Sequence, residues 1–203
     1  VRRFTPDKIA MKKRNREKDL RKWGALNSGT MDYLVLSGTN NTFWWTSDVV
    51  EGRNNAAIHF PHPGSVDVRG DHLYFISSSK KMLFVLNLTT NTYESSRTDA
   101  GVFDSQPGQI MQLLGRNSTN GNHMLYFCED GVADVGLHGR KGNGDFFTIL
   151  DHDWEELEAD GLALSPNRKH MYVAFSDAGI LYEITRDDGL PFEGSVLDIK
   201  YYR

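Results

Sequence analysis

Three segments of the chain repeat one pattern, and no other feature limits its fold as strongly. Ser65–Ser96, Gln109–Leu150 and Gly161–Thr185 each open on a short apolar run. These runs are Ser65-Val66-Asp67-Val68, Ile110-Met111-Gln112-Leu113-Leu114 and Gly161-Leu162-Ala163-Leu164. A polar turn follows each, and then a run that carries a tyrosine: Leu73-Tyr74-Phe75, Leu125-Tyr126-Phe127 and Met171-Tyr172-Val173. The tyrosines stand 52 and 46 residues apart. A third run begins eight or nine residues after each tyrosine, at Leu83, Val135 and Ile180. Fourth runs are readable at Thr92–Ser95 and Asp145–Leu150, and Ser195–Tyr201 takes that place in the last unit.

Period-two alternation with Gly, Asn, Asp and Ser between the runs predicts short antiparallel strands. Four strands in a repeat of about 50 residues predict the blades of an all-β protein, a β-propeller. The blades fall at about residues 65–98, 109–150 and 160–203. One blade cannot bury both faces of its sheet, so blades stack on their neighbours. Three do not close a ring, which points to part of a larger propeller. Periodicity does not fix how sheets pack, and a sandwich or barrel satisfies the same alternation.

Residues 1–64 read differently, as a lead-in of helix, hairpin and loop. Between Lys8 and Lys22 stand eight Lys or Arg against Glu17 and Asp19, with a short helix expected at Asp19–Leu26. Tyr33–Leu36 and Thr42–Thr46 read as a hairpin. Phe43, Trp44 and Trp45 are a stacking platform or, on strand propensity, ordinary packing residues. Glu51–Gly64, rich in Pro, His and Asn, reads as a loop.

The formal net charge of −4 argues against nucleic acid as a partner, and the basic stretch reads as a solvated helical face. No apolar run approaches the ~20 residues of a membrane span. The chain opens at Val1 without an initiator Met or a signal peptide, as a fragment or processed product would. Sequons at Asn40, Asn87 and Asn117 hint at a secreted glycoprotein, although about one or two arise by chance at this asparagine content.

On a propeller, the loops after each second strand and the entries to each first strand crowd one face. The repeats put Glu129-Asp130-Gly131, Asp177-Ala178-Gly179 and Glu158-Ala159-Asp160 there. Glu129, Asp130, Asp160 and Asp177 form a candidate calcium site, because a hard cation takes about six to eight oxygens. Acids and glycines also simply make turns. Cys128, the only cysteine, excludes an internal disulfide and reads as packing or as a thiolate ligand. The seven histidines form no HxxxH or HxH pattern; His59-Phe60-Pro61-His62 is a possible loop pair. No GxSxG, Walker or Rossmann motif occurs.

Tyr126-Phe127-Cys128-Glu129-Asp130-Gly131, Gly161–Pro166 and Tyr182–Gly189 resemble the PhoX-type alkaline phosphatases, above all their divergent algal members. The chain looks like a C-terminal portion of such a protein. The resemblance implies a propeller and phosphomonoester hydrolysis at a calcium and iron cluster held by acids and a cysteine. Glu129 matches the acid of the family's Thr-Glu-Asp segment, with Cys128 at the threonine. The family's Cys-Glu-Glu motif is absent, and Gly64 and Gly108 stand where it carries acids. With Glu129, Asp130 and Asp160 as metal ligands, Arg140 is the candidate phosphate clamp. The alternative expectation is a non-catalytic extracellular propeller, a scaffold or a module for a protein or glycan partner.

Overall fold

A computed structural model describes residues 1–8, 26–99, 106–114, 123–130, 135–141, 145–152 and 158–192. Chain contacts divide it into two units, Val1–Pro61 and His62–Arg203. The described residues form four small antiparallel sheets and one complete helix.

The first unit is a three-stranded sheet in the order β1 (Arg2–Pro6), β2 (Gly29–Leu36), β3 (Phe43–Thr46), with helix α1 (Val49–His59) packed on β2. The hairpin expected at Tyr33–Thr46 is β2–β3, where Leu34 faces Trp45 and Val35 faces Trp44. Two elements correct the expectation. Arg2–Pro6 is a strand, and Glu51–His59 is helix rather than loop. Asp48 starts α1 by accepting from the backbone N–H groups of Val50 (2.8 Å) and Glu51 (3.3 Å). Asn55 then ties α1 to the strand end, accepting from Leu36 N and donating to Leu36 O, both at 2.8 Å. Gly52 lets the helix close on β2, since any Cβ there would overlap Tyr33. The helix expected at Asp19–Leu26 lies outside the described residues except for Leu26, which is in an exposed turn.

The second unit holds the repeats. Two sheets are four-stranded meanders. The first runs β4 (Pro63–Arg69), β5 (His72–Ser77), β6 (Met82–Asn87), β7 (Thr92–Arg97), and the second β8 (Gln106–Leu114), β9 (His123–Asp130), β10 (Val135–Lys141), β11 (Phe146–His152). A third has the described strands β12 (Ala159–Leu164), β13 (His170–Phe175) and β14 (Ile180–Thr185). Its expected fourth strand, Ser195–Tyr201, lies outside the described residues.

Sequence position of the tyrosine sets how these sheets stack. Side chains alternate along a strand, so the face bearing Tyr74 also carries Ile76, Leu83 and Val85. That face is buried against Ile110, Leu125, Phe127 and Phe146 of the next sheet. The opposite face of that next sheet carries Tyr126 with Met124, Cys128 and Leu137. It packs on Leu162, Met171, Val173 and Phe175 of the third sheet. The first strands β4, β8 and β12 run side by side in series.

Each first strand also breaks its ladder near its start, between Pro63 and Val66, Pro107 and Ile110, and Ala159 and Gly161. Pro63-Gly64, Pro107-Gly108 and Ala159-Asp160 are therefore bulged starts of strands. A bulge re-aims the residues beside it.

Candidate functional site

The bulged end of the second sheet is where the chemistry-bearing residues meet. Glu129 lies inside β9, facing Pro107 of β8, rather than in the loop expected of it. On this face of the sheet stand Leu125, Phe127 and Glu129, two residues apart, with His138 opposite Phe127 on β10 and Thr148 opposite His138 on β11. The register slips by one residue between Leu137 and His138, which brings Thr148 level with the histidine.

Glu129 is fully buried, His138 is 3% exposed and Thr148 7% exposed. His138 Nε2 lies 2.9 Å from Glu129 Oε2. On the other side of the ring, Nδ1 is 3.0 Å from Thr148 Oγ1. Phe127 stacks on the imidazole, with centroids 5.7 Å apart. Gly136 makes room for the ring, since a Cβ there would come within 3.2 Å of His138 Nε2.

Hydroxyl, imidazole and carboxylate in a row is an arrangement that activates a nucleophile when the hydroxyl can reach a substrate. Here the threonine is buried in a sheet face, where its hydroxyl pairs with the His138 ring.

Sequence reasoning missed His138 and Thr148. The search for metal-type spacings passed over a lone histidine, and the contact depends on a register slip that spacing does not reveal. The available signal was a histidine at an inward position of an otherwise apolar strand.

The other candidate residues do not all converge with Glu129. Arg140 shares its sheet face but stands opposite Leu125, about four strand positions or ~13 Å along β10 from the Glu129 end. Its guanidinium lies 5.8 Å over the Phe146 ring, and its buried Nε has no hydrogen-bond partner among the described residues. Burial lowers its pKa, partly offset by the Glu94 carboxylate. Asp177 sits in the exposed β13–β14 turn, which Gly179 closes with a φ of 63° and a 3.1 Å bond to Ser176 O. Asp130 ends β9 and Asp160 lies in β12, and their side chains are outside the described set.

Gly108, where the resemblance expects an acid, is hemmed in by backbone. A Cβ there would lie 3.2 Å from the Ala159 oxygen and 3.4 Å from the Cys128 oxygen. A Cβ on Gly64 would instead meet side chains, Ile76 at 3.1 Å and Ser78 Oγ at 3.2 Å. Cys128 is fully buried among Tyr126, Leu137 and Leu162, and its thiol points at Gly161 O, 3.9 Å away.

Of the loop pair, His59 ends α1 and His62 opens the second unit. Phe43 is buried, whereas Trp44 is exposed and donates to Glu51 Oε1 at 3.3 Å. Trp45 stacks under the Arg3 guanidinium at 4.7 Å. Among the described residues, no three His, Cys, Asp or Glu side chains stand where one metal ion could be held.

No family model and no curated protein matches the chain. Solved structures match it loosely. A candidate 6-phosphogluconolactonase from Bacteroides fragilis is 14% identical over 81% of this chain, with a TM-score of 0.47. A streptogramin B lyase is 12% identical over 64%, with a TM-score of 0.41. The extracellular domain of a candidate one-component system from B. thetaiotaomicron is 14% identical over 60%, with a TM-score of 0.42. The chain covers 46%, 43% and 16% of those three structures, respectively. At this level of likeness, the neighbours' activities do not transfer to this chain.

Proposed function

We propose that residues 63–192 are consecutive blades of a β-propeller that serves as a non-catalytic, extracytoplasmic scaffold or binding module. The observation that carries the reading is the buried Glu129–His138–Thr148 row. The carboxylate that the PhoX resemblance assigns to metal is held within its own sheet. The two glycines at expected acid positions support the same reading, and a Cβ at Gly108 would press on backbone oxygens at 3.2 and 3.4 Å. The serial contact of β4, β8 and β12 supports the blade arrangement, since first strands line the centre of a propeller.

A PhoX-like phosphatase using calcium, with or without iron, is the second reading. It is favoured by the match of Tyr126–Gly131 to that family's segment. In it, Glu129, Asp130 and Asp160 hold the metal, which would polarise a phosphomonoester.

Metal analysis of the purified chain, with a p-nitrophenyl phosphate assay run with and without chelator, separates the two. The scaffold reading expects no stoichiometric metal and no turnover. Chelator-sensitive hydrolysis that Glu129→Gln abolishes, with the fold intact by circular dichroism, would overturn it.

A further inference from the structure

The sequons are motifs that neither reading absorbs, and the two in described residues differ in geometry. Asn40 is at the exposed tip of the β2–β3 hairpin, a turn closed by Ser37 N donating to Thr42 O at 2.8 Å. Asn41 supplies the left-handed residue, with a φ of 54°. The Thr42 hydroxyl donates to Asn40 Oδ1 at 2.7 Å, so the sequon's hydroxyl and amide already meet. That bond holds the sequon's two functional groups together on an exposed residue.

Asn87 is committed elsewhere. Its Oδ1 accepts from Thr89 N at 2.9 Å and Thr90 N at 3.0 Å, capping the β6–β7 turn. The hydroxyl of its sequon turns away, and Thr89 Oγ1 contacts Asp71 Oδ2 at 3.4 Å. Asn87 is also half-buried, whereas Asn40 is exposed. The third sequon, at Asn117, lies outside the described residues.

We infer that Asn40 is an N-glycosylation site and that Asn87 is not; the inference rests on the extracytoplasmic reading above. The donor is a lipid-linked oligosaccharide diphosphate. Asn40 Nδ2 bonds to C1 of the first sugar while the C1–O bond to the diphosphate breaks. The lipid diphosphate leaves with that electron pair, and one amide proton passes to a base on the transferase.

The test secretes the full chain from a eukaryotic host behind a cleavable signal and maps its glycopeptides before and after peptide N-glycosidase treatment. Asn40 is expected to carry glycan in most molecules, with occupancy of Asn87 at least several-fold lower. Asn40→Gln and Thr42→Val each remove the Asn40 glycan, and Thr42→Ser retains it. A bare Asn40, or equal occupancy at Asn87, overturns the inference. A glycan on Asn40 in the secreted chain but none on protein from its native source upholds the site and sinks the extracytoplasmic reading.

Discussion

Glu129 has no exposed surface, and the cost of keeping a carboxylate there is met by His138 at 2.9 Å. Removing the imidazole leaves the acid in the core without its nearest counter-group. His138→Ala is therefore expected to destabilise the fold by about 3 kcal/mol in urea unfolding. Thr148→Val, which loses one hydrogen bond at the far side of the ring, costs about 1 kcal/mol. Equal effects of the two substitutions would mean that the carboxylate is not the member that matters. Solvent-exposed charge behaves differently. Arg186 donates to Asp188 from Nε at 2.9 Å and from Nη2 at 2.5 Å, and this holds the aspartate pKa down to about 2. A folded-state pKa below the ordinary 3.8 stabilises the fold above that value, and the contribution is lost as pH falls through about 2. Carboxyl-carbon NMR titration of Asp188 is expected to show a midpoint near 2 that rises toward 3.8 in Arg186→Gln.

Glycines in β10 set how closely the strands of the second sheet approach. A Cβ on Gly136 would overlap the backbone oxygen of Leu150, which cannot swing aside, while one on Gly139 would meet the Phe147 ring, which can. Gly136→Ala is thus expected to cost about 2 kcal/mol or more, and Gly139→Ala distinctly less, when the two are compared by urea denaturation. The strands themselves were legible in the sequence because alternation and turn residues act locally: β5, β9 and β13 each carry their tyrosine where the pattern put it. Helix α1 was not read, since Pro, His and Asn drew attention to a loop. Asp48 followed by Glu51, a carboxylate cap with an acid three residues on, was the signal that could have revealed it. Strand β1, Arg-Arg-Phe-Thr-Pro, has no apolar alternation and owes its conformation to pairing with β2. Glu129's partner was hidden for a third reason, because cross-strand neighbours depend on register and the slip beside His138 leaves no mark in residue spacing.

Across the repeats, one rule organises the second unit: the tyrosine face of each sheet meets the opposite face of the next. Tyr74 and Tyr126 are buried by it, at 6% and 0% exposure. Tyr172, the third of the series, is half-buried, its hydroxyl donates to Glu183, and Leu181 beside it is 66% exposed. The tyrosine face of the third sheet is thus the partly open end of the described stack. Stacking of this kind accounts for the apolar residues on both faces of β9, where a sandwich strand would keep one face wet. β4, β8 and β12 lie side by side in series, as the inner strands of successive blades would in the proposed propeller. Nuclear Overhauser contacts in the isotope-labelled full chain test it most directly. Contacts are expected from β4 to β8 and from β8 to β12, together with contacts from the isoleucine methyls within the Ile76–Ile110–Phe127 cluster. Inner strands without mutual contacts, with β8 meeting the other sheets only through side chains across a sandwich core, would contradict it.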